Sequence, residues 1–184
     1  TGSAKPTLMV VDGHSLAYRA FFALPVDNFT TKDNQHTNGI YGFLSMLVNL
    51  IKAEQPTPLA IAFDTSRHSF RTDEYPEYKA TRSESPQEFK GQIPLLQECL
   101  TAMSIPVLTK EGIEADDILA TLASQGAEQG FDVLVVSGDR DTIQLVNDDV
   151  TLLYPSVQGF YQLKRFDPVA VLGGFGVREE LYPV

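Results

Sequence analysis

The sequence predicts an α/β protein with a mostly parallel central sheet and helices on both faces. Two observations carry that prediction. Short apolar runs of strand length recur along the chain and alternate with longer stretches of helical periodicity. Carboxylates also follow these runs closely, as expected where parallel strands end on one shared rim that binds ligands.

Taken in order, Leu8-Met9-Val10-Val11 runs into Asp12 and predicts a first strand over 8–12. Ile40, Phe43, Leu44, Leu47, Leu50 and Ile51 fall at helical spacing and predict a helix over 39–53, ending before Pro56 and Pro58. A second strand over 59–63 runs into Asp64. A helix is expected over 86–103, then a third strand over 105–108 that leads to Glu114-Ala115-Asp116-Asp117. A helix over 115–129 closes before Gly130, and a fourth strand over 132–136 leads through Ser137-Gly138 to Asp139-Arg140-Asp141. The fifth strand is expected over 150–154, after Asp148-Asp149 in a solvated turn; Gly173-Gly174-Phe175-Gly176 reads as the end of a helix. Residues 65–85 break the rhythm. They are polar, charged and aromatic, and too long for an ordinary connection of about 2–6 residues. A substrate-handling insertion explains their Tyr, Arg and Lys content better than a surface linker does.

At 184 residues the chain suits one domain with a full core, and 43% hydrophobic with 21% charged residues is ordinary for a globular protein. No apolar run approaches the roughly 20 residues that span a bilayer, and the first residues lack the apolar centre of a signal peptide. The single cysteine, Cys99, allows no internal disulfide, suits a reducing compartment, and reads as a small core residue. A net charge of −10 argues at first against a nucleic-acid partner. Setting aside the seven acids at the strand ends leaves only −3, so the balance excludes little.

Asp12, Asp64, Glu114, Asp116, Asp117, Asp139 and Asp141 are the candidate metal ligands. Taken singly, Asp12 and Asp64 are better read as helix caps, and His14 as a hydrogen-bonded structural residue. Acids in a helix's first turn are favoured by about 0.3–1 kcal/mol each, yet Glu114, Asp116 and Asp117 together exceed what capping needs. Asp139 and Asp141, an alternate pair directly after a buried strand beside a permissive glycine, are the sharpest local signal. Crowded carboxylates repel one another unless cations intervene. Hard divalent ions take such oxygen ligands, and two of them suit phosphodiester hydrolysis. Zinc spacing, a Gly-rich phosphate loop and a Gly-x-Ser-x-Gly elbow are all absent.

Val10-Val11-Asp12-Gly13-His14-Ser15-Leu16-Ala17-Tyr18-Arg19, Tyr41-Gly42-Phe43 and Ala62-Phe63-Asp64 together resemble the bacterial 5′-nuclease (flap endonuclease) family. So do Ser69-Phe70-Arg71, Tyr75-Pro76-Glu77-Tyr78-Lys79-Ala80-Thr81-Arg82, Gly112-Ile113-Glu114-Ala115-Asp116-Asp117 and Ser137 through Leu145. The resemblance covers essentially the whole chain in order. It implies a PIN-like (Rossmann-like) fold with a helical arch insertion near 65–90, and residues 1–184 as a single catalytic domain. It further implies Mg²⁺ or Mn²⁺, two ions held by the seven acids. Lys79 and Arg82 would act on the scissile phosphate from the arch, Tyr78 would stack on a base, and Arg19 and Arg71 would neutralise phosphates. The implied substrate is DNA with a 5′ flap, nick or RNA primer, cut in replication and repair in the bacterial cytoplasm, with a polymerase domain as a partner on the same chain.

The family continues past Tyr182-Pro183 into a Gly-Asp-x-x-Asp-Asn segment and a helical DNA-binding region. The sequence ends at Val184, so the second ion's ligands are expected to be incomplete here. Other classes place acids at strand ends. A phosphoacceptor receiver domain pairs two acids after its first strand and has a late lysine, but here Asp12 stands alone and Lys164 sits in a loop-like context. A haloacid-type phosphatase wants Asp-x-Asp where this chain has Asp12-Gly13-His14. A non-catalytic DNA-end binding module is the remaining alternative.

Overall fold

The computed structural model describes residues 4–65, 85–156 and 159–175. The chain runs β1 (Thr7–Asp12), α1 (Gly13–Ala23), a 3-10 turn (Val26–Asn28), α2 (Asn38–Glu54), β2 (Leu59–Ala62), α3 (Gln87–Lys90) and α4 (Gln92–Ala102). It continues with β3 (Val107–Leu108), α5 (Ala115–Glu128), β4 (Asp132–Val136), a second 3-10 segment (Arg140–Leu145), β5 (Val150–Ser156), β6 (Gly159–Phe166) and α6 (Pro168–Phe175). A six-stranded sheet has the order β3-β2-β1-β4-β5-β6. Every neighbouring pair from β3 to β5 is parallel, and β6 returns antiparallel to β5.

Side chains alternate across a strand, so a sheet covered on both faces makes two cores from one run of apolar residues. Met9 and Val11 of β1, Ile61 of β2, Leu134 and Val136 of β4, and Leu153 of β5 pack with α1, α2 and α4. Val10, Ala62, Val133, Val135 and Leu152 face the other way, onto Leu119 and Ala123 of α5. A close approach falls at Gly13, where a Cβ would lie 2.5 Å from the buried Phe63 ring. Glycine there lets α1 leave β1 directly over β2.

Strands are found at each of the five expected places, and α2 and α5 match their expected spans within a residue or so. The helix expected over 86–103 is broken at Gly91. Pro94 lies in the first turn of α4; its ring would meet the Lys90 carbonyl and it has no N–H to donate, so one continuous helix cannot form. Helix α1 and strand β6 were not anticipated. Lys164, read as loop-like, lies in β6 paired with Tyr154; it and its neighbour Arg165 face opposite ways yet both are exposed, so this edge strand shows no alternation there. Cys99 is half-buried against the α1/α2 core. The expected arch segment, with Arg71, Tyr78, Lys79 and Arg82, lies outside the described residues.

Both edges of the sheet are blunted. β3 has two residues, and β6 exposes Lys164 and Arg165 beside a register shift at Pro155/Ser156. Arg165 also pairs with Glu54 of α2 at 2.6 Å.

Candidate active site

Strand order reverses at β1: the chain steps outward to β2 and β3, then returns to the other side of β1 for β4. Such a switch point opens a crevice beyond the carboxyl ends of the two strands. Asp12 ends β1 and Ser137-Gly138-Asp139 follows β4, so both stand at this crevice.

Asp12 is buried, with 4% of its surface exposed. It caps α1, Oδ1 accepting from the Ser15 backbone N–H at 3.1 Å, and Oδ2 accepts from the Ser137 hydroxyl at 2.9 Å. Ser137, fully buried, also accepts from the Asp139 N–H at 3.0 Å, so one hydroxyl joins the two aspartates. Asp139 in turn caps the second 3-10 segment by accepting from the Asp141 N–H at 3.0 Å. Across the rim, Asp64 Oδ1 accepts from the Ala115 N–H at 2.7 Å and caps α5. Glu114 is buried at the start of that helix, while Asp116 and Asp117 occupy its first turn, half-buried.

The capping reading of Asp12 thus holds, whereas Asp64 caps not the helix after its own strand but α5, 51 residues further on. These caps do not satisfy the charge. Burial pushes the Asp12 carboxyl above its ordinary value of 3.8; hydrogen bonds from Ser15 and Ser137 oppose the rise, and the nearby Asp64 charge adds to it. In chain order the seven acids follow the ends of β1, β2, β3 and β4, but among the described residues no three His, Cys, Asp or Glu side chains form a ready metal-holding group. The donor chemistry nonetheless fits a hard cation, with carboxylate oxygens throughout and a buried aspartate whose anion is disfavoured.

His14 packs edge-on to Phe89, with ring centroids 5.4 Å apart. Arg19 reaches the Gly138 carbonyl through Nε at 3.1 Å and Nη2 at 2.8 Å, and it lies over the Tyr154 ring at 4.9 Å. Ser137, Ser15 and Tyr154 were missed in the sequence, where they are ordinary hydroxyl residues. Only Ser137 carried a signal, through its place directly before Gly138-Asp139. No helix among the described residues is long and apolar enough to cross a membrane.

A mostly parallel six-stranded sheet with helices on both faces and an acidic strand-end rim defines the flap-endonuclease-like class of nuclease folds. Residues 7–176 match the family described as 5′-3′ exonuclease, N-terminal resolvase-like domain. The chain belongs to this 5′-3′ exonuclease N-terminal domain family, in the form found in DNA polymerase I. It is 55% identical over 180 residues to DNA polymerase I of Mycobacterium tuberculosis, covering 98% of this chain and 20% of that protein. With DNA polymerase I of Bacillus caldotenax it shares 42% over 176 residues, 96% of this chain and 20% of that one. The chain therefore spans about a fifth of the length of these relatives. Among solved structures, the T5 protein co-crystallised with metal ions superposes with a TM-score of 0.72 at 22% identity, over 95% of this chain and 63% of that one. The bacteriophage T5 flap endonuclease complex with DNA and metal ions gives 0.67 at 21% identity, over 93% and 61%. At such identities these likenesses establish the fold.

Proposed function

We propose that the chain is a divalent-metal-dependent 5′-nuclease module that hydrolyses phosphodiester bonds of DNA, or of primer RNA, at 5′ flaps and nicks. The observation that carries this reading is Asp12, a carboxylate buried at the switch point beside Asp64 and held there against its preference for water. The family match over 7–176 supports the same reading.

Asp12, Asp64, Glu114, Asp116, Asp117, Asp139 and Asp141 would hold Mg²⁺ or Mn²⁺. When bound, such ions supply an activated water and neutralise charge at the leaving oxygen. Ser137 keeps Asp12 and Asp139 in one arrangement by bonding to both segments. Lys79 and Arg82 would offset the charge that develops on the phosphate, Tyr78 would stack on a base, and Arg71 would neutralise strand phosphates. DNA polymerase I relatives make replication and repair in the bacterial cytoplasm the proposed setting, with a polymerase domain as the partner.

Cleavage of a labelled 5′-flap duplex in Mg²⁺ and in Mn²⁺, with Asp139→Asn as the control, tests the proposal. Metal-dependent cutting at the flap junction that the variant loses is the expected result. Flap binding without cutting in either ion would favour the DNA-end binding module, and labelling by acetyl phosphate would favour the receiver reading.

A further inference from the structure

The turn that carries Asp139 is held from outside by a single helix face. Ser15 and Arg19 stand four apart on α1 and so share one side of it. The Ser15 hydroxyl accepts from the Gly138 N–H at 3.0 Å. Arg19 donates to the Gly138 carbonyl from two nitrogens, Nε at 3.1 Å and Nη2 at 2.8 Å. Both backbone polar groups of Gly138 are therefore bound to α1. A Cβ at position 138 would lie 2.4 Å from Arg19 Nε and 2.6 Å from its Cδ, so the arginine stem lies flat against the glycine. On its other side Arg19 is braced by β5: Nη2 also reaches the Tyr154 hydroxyl at 2.5 Å, and the guanidinium sits 4.9 Å from the Tyr154 ring centre.

We propose that Arg19, clamped by Tyr154, is a positioning residue that fixes the Ser137-Gly138-Asp139 turn and thereby the place of Asp139 beside Asp12. This rests on the metal reading given under Proposed function and adds to it an outer support for one ligand. A planar fork meeting one carbonyl while stacked on a ring is a task for arginine in particular. A phosphate contact made by charge alone would accept lysine. The two roles therefore part at Arg19→Lys.

The test is Mn²⁺ binding by titration calorimetry to the chain and to Arg19→Lys, Arg19→Ala and Tyr154→Phe, without DNA. Flap-duplex affinity in EDTA is measured alongside, and a thermal melt of each variant checks folding. Loss of outer supports to metal ligands typically weakens metal affinity by roughly 10–100-fold. Both Arg19 variants should show a loss of that order, and Tyr154→Phe a smaller loss in the same direction. A role in phosphate contact alone would instead lower DNA affinity in EDTA for Arg19→Ala and leave Mn²⁺ affinity unchanged in both Arg19 variants. If the parent chain binds Mn²⁺ and Arg19→Lys binds it equally well, the positioning role is overturned while the metal reading stands. A parent chain that binds no divalent ion overturns the metal reading and the inference with it. Should Arg19→Ala fail to fold, Arg19→Lys and Tyr154→Phe decide the matter.

Discussion

Burial at the end of β1 makes the charged form of Asp12 costly. Its folded-state pKa is raised above 3.8, chiefly by burial. The folded state therefore binds a proton more tightly than the unfolded chain, and this group's contribution to stability falls as pH rises from about 3.8 through the raised value. Below 3.8 both states are protonated and the penalty vanishes. Asp12→Asn should accordingly gain stability over the parent chain as pH rises through that window, and the advantage should then level off. Thermal melts in EDTA across pH would show two diverging curves; parallel curves would refute the idea. Lys79 calls for a different assay, because its proposed task concerns the phosphate. Lys79→Ala should keep Mn²⁺ binding while flap cleavage falls by about 10²-fold or more, as when one preorganised charge-stabilising group is lost. Full retained activity would remove Lys79 from the mechanism. The places of Asp12 and Asp64 at strand ends could be read from the sequence because each stands directly after an apolar run, and that adjacency survives folding. Ser137 and Tyr154 could not, because only the order of β1, β4 and β5 in the sheet brings them to α1 and Asp12.

At the scale of elements, the joint between α1, α2 and α4 is made by two buried amides. Gln92 Oε1 accepts from the Gly39 and Ile40 N–H groups at 2.9 and 3.2 Å, and its Nε2 donates to Asn38 Oδ1 at 2.8 Å. Asn38 Nδ2 donates to the carbonyls of Phe21 and Leu24 at the end of α1. Gln92 thus supplies the cap that Thr37 does not give α2 through its side chain. Each buried donor left unsatisfied costs about 1–3 kcal/mol, so Gln92→Ala should destabilise the chain by several kcal/mol in urea denaturation. A loss below about 1 kcal/mol would mean that water replaces the cap. The sequence held a hint of this joint, since Gln92 lies four and eight residues before the buried Leu96 and Leu100. A polar residue on a buried stripe asks for a buried partner. Helix α1 was illegible for the opposite reason. Phe22 and Tyr18 face solvent while Phe21 is buried, so its aromatic side chains fall on both sides and blur the period. Strand β6 was hidden by consecutive exposed charges at Lys164 and Arg165, which break the alternation a strand should show.

For the whole molecule, charge dominates. Part of the net −10 comes from acids at strand ends, and folding brings at least Asp12 and Asp64 within reach of each other's charge. A ligand that binds only the folded state stabilises it by about 2.7 kcal/mol at a hundred times its dissociation constant. Mg²⁺ or Mn²⁺ should therefore raise the melting temperature well beyond what matched ionic strength of NaCl achieves, and Asp139→Asn should lose much of the difference. Equal shifts with NaCl would indicate general screening alone. The mostly parallel sheet and its acidic rim were legible at this scale, because strand runs and their trailing acids recur in register along the chain. The antiparallel return of β6 was not, since nothing in the apolar pattern sets the direction of an edge strand. Those edges have a consequence of their own. Among the described residues the sheet ends in a two-residue strand on one side and, on the other, in an edge strand that carries exposed lysine and arginine, two devices that discourage pairing with a second copy. Charge and brevity at the margins thus act against strand-to-strand growth of the sheet from one copy to the next.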